Sequence, residues 1–98
     1  MNYALTIRPE AEQDLAEAYR WYEDRRPGLG LDFMHEVDVA LAAISDHPHS
    51  FQAIYQNVRR ALTKRFPYGI FFVVENAQVT VIAVFHAKRH PSSWQRRV

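Results

Sequence analysis

The sequence contains no cysteine, which removes a disulfide framework and every thiolate metal site and fits an intracellular location. Glycine occurs three times in 98 residues, so connections between elements are expected to be short, and a glycine-rich phosphate loop has no residues to build it. No apolar run approaches the roughly 20 residues that span a bilayer. The opening residues, MNYALTIRPE, lack a charged segment followed by an apolar one, so no secretory signal is expected either. Internal repeats and low-complexity tracts are missing too. The expectation is a soluble, cytoplasmic chain with no membrane partner.

Acidic side chains are nearly missing from one half. Residues 51–98 hold one, Glu75, against eight Lys and Arg, whereas residues 1–50 hold ten against four. A net charge of +1 therefore conceals a polarised molecule, and such asymmetry points to a polyanionic partner. With 48% hydrophobic side chains, a chain of this length buries one core, so residues 1–98 are expected to form a single domain.

Residues 2–8 alternate Tyr3, Leu5, Ile7 against Ala4, Thr6, Arg8, the period of a half-buried strand. Pro9 suits the first turn of a helix, and Glu10, Glu12 and Asp14 put negative charge at the positive end of its dipole. Ala11, Leu15, Ala18, Tyr19 and Tyr22 form one stripe of a helix over residues 9–25, which Pro27 and Gly28 stop. The same spacing recurs at Phe33, Val37, Ala40, Leu41 and Ile44, giving a second helix that begins near Leu29 and ends before Pro48. The two make an antiparallel hairpin. Its acidic residues, Asp14 among them, read as a solvated surface, because their spacing puts no close pair in a recess.

Three strands are expected next, over residues 58–66, 70–75 and 78–86, with turns at Pro67-Tyr68-Gly69 and Asn76-Ala77. The middle one is apolar at every position from 70 to 74, as in a strand buried on both faces. Alternation puts Val79, Val81, Ala83 and Phe85 on one side of the last strand and Thr80, Ile82, Val84 and His86 on the other. A short helix or turn is expected after Pro91. The resulting fold class is α+β, ordered β-α-α-β-β-β, with the helix hairpin packed on one face of a mostly antiparallel four-stranded sheet. The second face, apolar and bordered by Arg59, Arg60, Arg65 and Arg89, must then be solvated or used for interaction.

The order of elements resembles the RelE/ParE superfamily of toxins from bacterial type II toxin-antitoxin systems. The resemblance is carried by the Arg59-Arg60 pair, the Phe66-Pro67-Tyr68 turn and the aromatic-rich strand after it. It continues in the ending His86-Ala87-Lys88-Arg89-His90-Pro91 with Trp94. It covers nearly the whole chain and implies a toxin held inactive by a cognate antitoxin protein, a segment of which wraps over apolar groove and basic residues. Members of the ParE side bind DNA gyrase; members of the RelE side cleave messenger RNA on the ribosome. The acidic hairpin, the residue 66–72 turn and strand, and the basic ending look more like the ParE side.

Both readings place the site on the basic half. Arg59, Arg60, Lys64, Arg65, Arg89 and Trp94 are the candidates for antitoxin or target binding. Were the chain a metal-independent endoribonuclease, His86 or His90 would exchange protons near neutrality. Arg59, Lys64, Arg65 and Arg89 would then hold phosphates and Trp94 would stack on a base. Against catalysis stands a plainer account: His86 bonded to backbone, the arginines a surface for an acidic antitoxin, and Trp94 a cap over the core. His47 and His49 lack a third ligand at a recognisable spacing, and Ser92, Ser93 and His86 lack the strand-turn-helix elbow of a nucleophilic triad. Neither cofactor nor metal is expected. Trp21 falls off the core stripe, where a partner could reach it.

Overall fold

The computed structural model describes residues 3–98; Asn2, where the sequence pattern starts the first strand, lies outside the described residues. The elements are β1 (Ala4–Ile7), α1 (Pro9–Arg25), α2 (Leu29–Asp46), a 3-10 turn (Pro48–Ser50), β2 (Ala53–Tyr55), β3 (Val58–Leu62), β4 (Tyr68–Glu75), β5 (Gln78–His86) and α3 (Ser92–Gln95). The strands form one sheet in the order β1-β5-β4-β3-β2, with β1 parallel to β5 and the other pairs antiparallel. Both long helices span the residues their apolar stripes predict. None of the described helices is long and apolar enough to cross a membrane.

The sheet has five strands rather than four. The extra one, β2, has only three residues and pairs back on β3 through Ala53 with Arg59 and Tyr55 with Val58. Gln56 makes the reversal possible by adopting φ 51°. So short a strand has no room for an alternation that a sequence could display. The strand over residues 58–66 is also shorter than expected. It stops at Leu62 because the next residues bond elsewhere: the Glu36 carboxylate on α2 accepts the N–H groups of Lys64 (3.1 Å) and Arg65 (3.0 Å). Thr63 donates its hydroxyl to the Phe66 carbonyl. Strand pairing resumes at Tyr68, which the sequence reading placed in the turn.

The helix hairpin closes on its own side chains. Glu23 near the end of α1 accepts from the N–H groups of Gly28 (2.9 Å) and Gly30 (3.0 Å), so two unpaired donors at the start of α2 are satisfied by the preceding helix. Gly30 is there because the helices touch: a Cβ on it would lie 2.9 Å from both the Tyr19 ring and the Tyr19 carbonyl oxygen. The ring can turn, but the carbonyl belongs to the helix. Gly30→Ala is therefore expected to lose about 1–3 kcal/mol, read by urea unfolding; a gain, as alanine's helix propensity alone would give, rejects the close approach.

Between hairpin and sheet lies the main core, built on Phe33, Val37 and Ile44 from α2 against Ile70, Phe72 and Val81 from the sheet. Tyr22, Phe33, Phe66 and Tyr68 form an aromatic knot at one end, with ring centroids 4.7 to 6.0 Å apart. The sheet's other face is neither bare nor simply solvated at its centre. Val58, Phe71, Val73, Ile82, Ala83 and Phe85 form a second cluster, closed by Trp94 of α3. Trp94 stacks on Phe71 at 4.7 Å and meets Tyr55 edge-on at 5.8 Å. The middle strand is thus covered on both faces.

The strict alternation expected in β5 fails at one position. Phe71 pairs with Ala83 but Phe72 pairs with Val81, so Ile82 has no partner on β4 and the strand carries a bulge. Before it Val79 and Val81 face the helices; after it Val84 does, while Ala83 and Phe85 face the second cluster with Ile82. One extra residue therefore exchanges the two faces of everything downstream.

Candidate functional site

The bulge decides what stands at the end of β5. It turns His86 toward α1, where His86, Tyr68 and Arg89 face Asp14, Glu17, Trp21 and Tyr22 across a cleft of about 410 Å³. Glu17, Trp21 and the Ala18-Tyr22 pair lie one helical turn apart on α1, which is why one helix can wall the cleft along its length. Tyr68 meets the His86 ring edge-on at 5.6 Å. The Arg89 guanidinium lies 4.1 Å above the Phe85 ring, a cation-π contact that keeps it at the mouth.

Burial pushes the Tyr22 phenol up, with the neighbouring Tyr68 adding to it; burial also raises Tyr68, an effect that the Arg89 charge opposes. Both phenols are therefore neutral hydrogen-bond donors around neutral pH. His86 accepts the Lys88 N–H at Nδ1, 3.1 Å. That bond requires a lone pair on Nδ1, so the neutral ring carries its proton on Nε2. His90 is held in the same way: its Nδ1 accepts the Ser92 N–H at 3.1 Å and lies 3.0 Å from the Ser92 hydroxyl. In each ring the basic nitrogen is occupied by the backbone, and what remains is a donor.

Asp14 is the main departure from the solvated acidic face. Its side chain is 9% exposed and its two oxygens receive Arg97 as a fork, at 2.7 and 3.2 Å. The same carboxylate accepts the Val84 N–H at 3.0 Å, and Arg97 also donates to the Ile82 carbonyl at 2.9 Å. Because β1 reaches only as far as Val81, this pair covers the edge of β5 away from β4 beyond that point.

The six binding candidates do not form one surface. Arg59 and Arg60, adjacent on a strand, point to opposite faces: Arg59 donates to the Phe51 carbonyl at 2.6 Å, while the Arg60 stem lies along Gly69. Lys64 and Arg65 sit in the loop held by Glu36, and Arg65 pairs with Asp32 at 3.3 Å. Arg89 lies at the cleft with His86. Trp94 is 6% exposed and its face is taken by Phe71, so it closes the core and offers no ring to a base. Tyr22, Tyr68 and Asp14 were missed as site residues. Trp21, left off the core stripe, is the one cleft residue that helical period flagged, and it is 51% exposed. Among the described residues no three histidine or carboxylate groups come together as metal ligands.

Residues 5–91 match the family model of the ParE toxin of the type II toxin-antitoxin system, parDE. The chain belongs to the ParE toxin family. Toxin ParE2 of Mycobacterium tuberculosis, in strains CDC 1551 and H37Rv, is 23% identical over 100 aligned positions, covering 100% of this chain and 94% of the relative. Among solved structures, one from the chromosomal ParDE system of P. aeruginosa superposes with a TM-score of 0.78 at 16% identity, over 88% of this chain and 97% of the other. A chain from the RelBE2 toxin-antitoxin complex of M. tuberculosis gives 0.62 at 15%, over 88% and 99%. These likenesses establish the α+β fold of a ParE-type toxin, with its helix hairpin on a mostly antiparallel sheet. Trp94 and Arg97, which close the second cluster and the β5 edge in this ParE-family chain, lie beyond residues 5–91 that the family model matches.

Proposed function

We propose that this ParE-family toxin acts in the cytoplasm by binding DNA gyrase, and that a cognate antitoxin neutralises it. The observation that carries a binding role over a catalytic one is the state of the histidines. A general base needs a free lone pair within reach of the proton it removes, and both His86 and His90 spend theirs on backbone N–H groups. The cations are also dispersed, whereas a phosphorane-stabilising site needs them converging on one oxygen cluster. The antitoxin is proposed to run along the basic loop and the adjoining strand, over Arg60, Lys64 and Arg65, toward Arg89. Arg59, bonded inward, and Trp94, buried, are left out of that surface.

The ribosome-dependent endonuclease is the second reading, favoured by one observation: Tyr68, His86 and Arg89 share a cleft. One experiment separates the two. The protein, produced without antitoxin, is added to gyrase with relaxed plasmid and, in parallel, to translating ribosomes. Supercoiling is expected to fall while messages stay intact. Cleaved messages, abolished by His86→Ala in a protein that still folds, reverse the conclusion.

A further inference from the structure

We propose that the cleft between α1 and the end of β5 is a carboxylate-receiving pocket, which takes an Asp or Glu side chain from an extended segment of a partner protein. The argument is one of unmatched donors. Tyr22 and Tyr68 offer neutral hydroxyls, His86 offers its Nε2 proton, and Arg89 offers its guanidinium; all four residues line the one cleft. Among the described residues none of these donors is paired with a protein acceptor; the ion pairs found are Arg26 and Arg65 with Asp32, and Arg97 with Asp14. Asp14, the carboxylate nearest in kind, is already taken by the Arg97 fork and the Val84 N–H. A partly desolvated group of donors binds an anion through charge-assisted hydrogen bonds.

The backbone beside the pocket says which anion. Beyond Val81 the edge of β5 away from β4 has no strand against it, and on that edge the Val84 N–H is covered by Asp14 of α1. Two residues further along the same edge comes the His86 N–H, at the pocket itself. An extended peptide can lie along such an edge and drop every second side chain into a pocket. Glu17 bears on the kind of anion: an exposed carboxylate in the cleft lining, it opposes every anion there, the repeated charges of a nucleic acid backbone more than the single carboxylate of a peptide whose N–H groups it can accept. Trp21, half exposed at the rim, supplies apolar surface for the neighbouring residue.

The inference rests on the partner-binding half of the proposed function, and gyrase has no part in it. The probe is a blocked pentapeptide, acetyl-Thr-Val-Glu-Val-Thr-amide, titrated into the isotope-labelled full chain, beside its Gln counterpart and adenosine monophosphate. The largest backbone shift is expected at the His86 amide. The Glu peptide is expected to bind about ten-fold tighter than the Gln peptide, the worth of one charge-assisted hydrogen bond. Arg89→Gln removes that preference, and Arg96→Gln, outside the cleft, retains it. Equal affinity of the two peptides, shifts confined to another surface, or tighter binding of the nucleotide at these residues overturns the proposal. A toxin that copurifies with its antitoxin yet shows no carboxylate preference keeps the functional reading and loses this one.

Discussion

Asp14→Ala is expected to destabilise the protein by about 3–5 kcal/mol, the cost of removing one partner of a buried ion pair, and to lower Tm by some 12 °C or more. The size follows from what is left behind. Arg97 is 23% exposed at its side chain, lies 4.6 Å over the Phe85 ring, and would keep only the Ile82 carbonyl as an acceptor. The Val84 N–H would lose its acceptor altogether. The contrast is the Asp32–Arg65 pair, whose side chains are 48% and 54% exposed; removing that one should cost no more than about 1 kcal/mol. Urea unfolding of both variants at one pH makes the comparison. Because Asp14 and Arg97 act on each other, the Asp14→Ala/Arg97→Ala double variant should lose clearly less than the sum of the singles. A loss at Asp14 no larger than at Asp32 would show that the β5 edge is not held by this pair.

Trp94→Ala should have an effect of similar size, about 3–5 kcal/mol, for a different reason. Trp94 contributes no charge and no strand; it covers Phe71, Val73 and Phe85 on the sheet face that the hairpin does not reach. Removing it leaves those rings facing water. Their exposure is expected to show as binding of a hydrophobic fluorescent dye at temperatures where the unsubstituted protein binds none. Trp94→Phe preserves a ring against Phe71 and should recover more than half of the loss. Trp21→Ala is the control, since that indole is 51% exposed with Arg25 lying over it at 3.8 Å. Equal costs at 94 and 21 would place Trp94 outside the core.

The sequence disclosed what depends on neighbours a few positions apart. Both helices could be read from the spacing of Leu15, Ala18 and Tyr22 and of Phe33, Val37 and Ile44, because burial of a helix face imposes a 3.6-residue period. The doubly buried β4 announced itself as an uninterrupted apolar run. β2 stayed hidden since three residues carry no period. The bulge at Ile82 stayed hidden for a deeper reason: an extra residue leaves the composition of a strand unchanged while reversing which of its later side chains meet the core. Alternation counted through that point assigns Ala83, Phe85 and Val84 to the wrong faces. The charge division between the halves was visible, but its structural use was not. Asp14 meets Arg97 from 83 positions away, and Glu36 takes the N–H of Lys64 from 28 away. Pairings of that span are made by the fold and have no local signature. The family could be recognised all the same, because it is carried by the order of short motifs rather than by any one contact.

The Asp14–Arg97 fork also bears on when the toxin becomes complete. During synthesis the hairpin emerges first and can form on local contacts alone. β1 must wait for β5, whose first paired residue is Gln78, and the β5 edge waits further for residue 97. At about 5–20 residues per second, several seconds separate a finished hairpin from a finished sheet. Through that interval the apolar stripe of the hairpin is uncovered and the carboxylate of Asp14 has no counterion. A nascent chain of this kind exposes apolar surface and an unpaired carboxylate, which leaves it open to capture or proteolysis before its fold is complete.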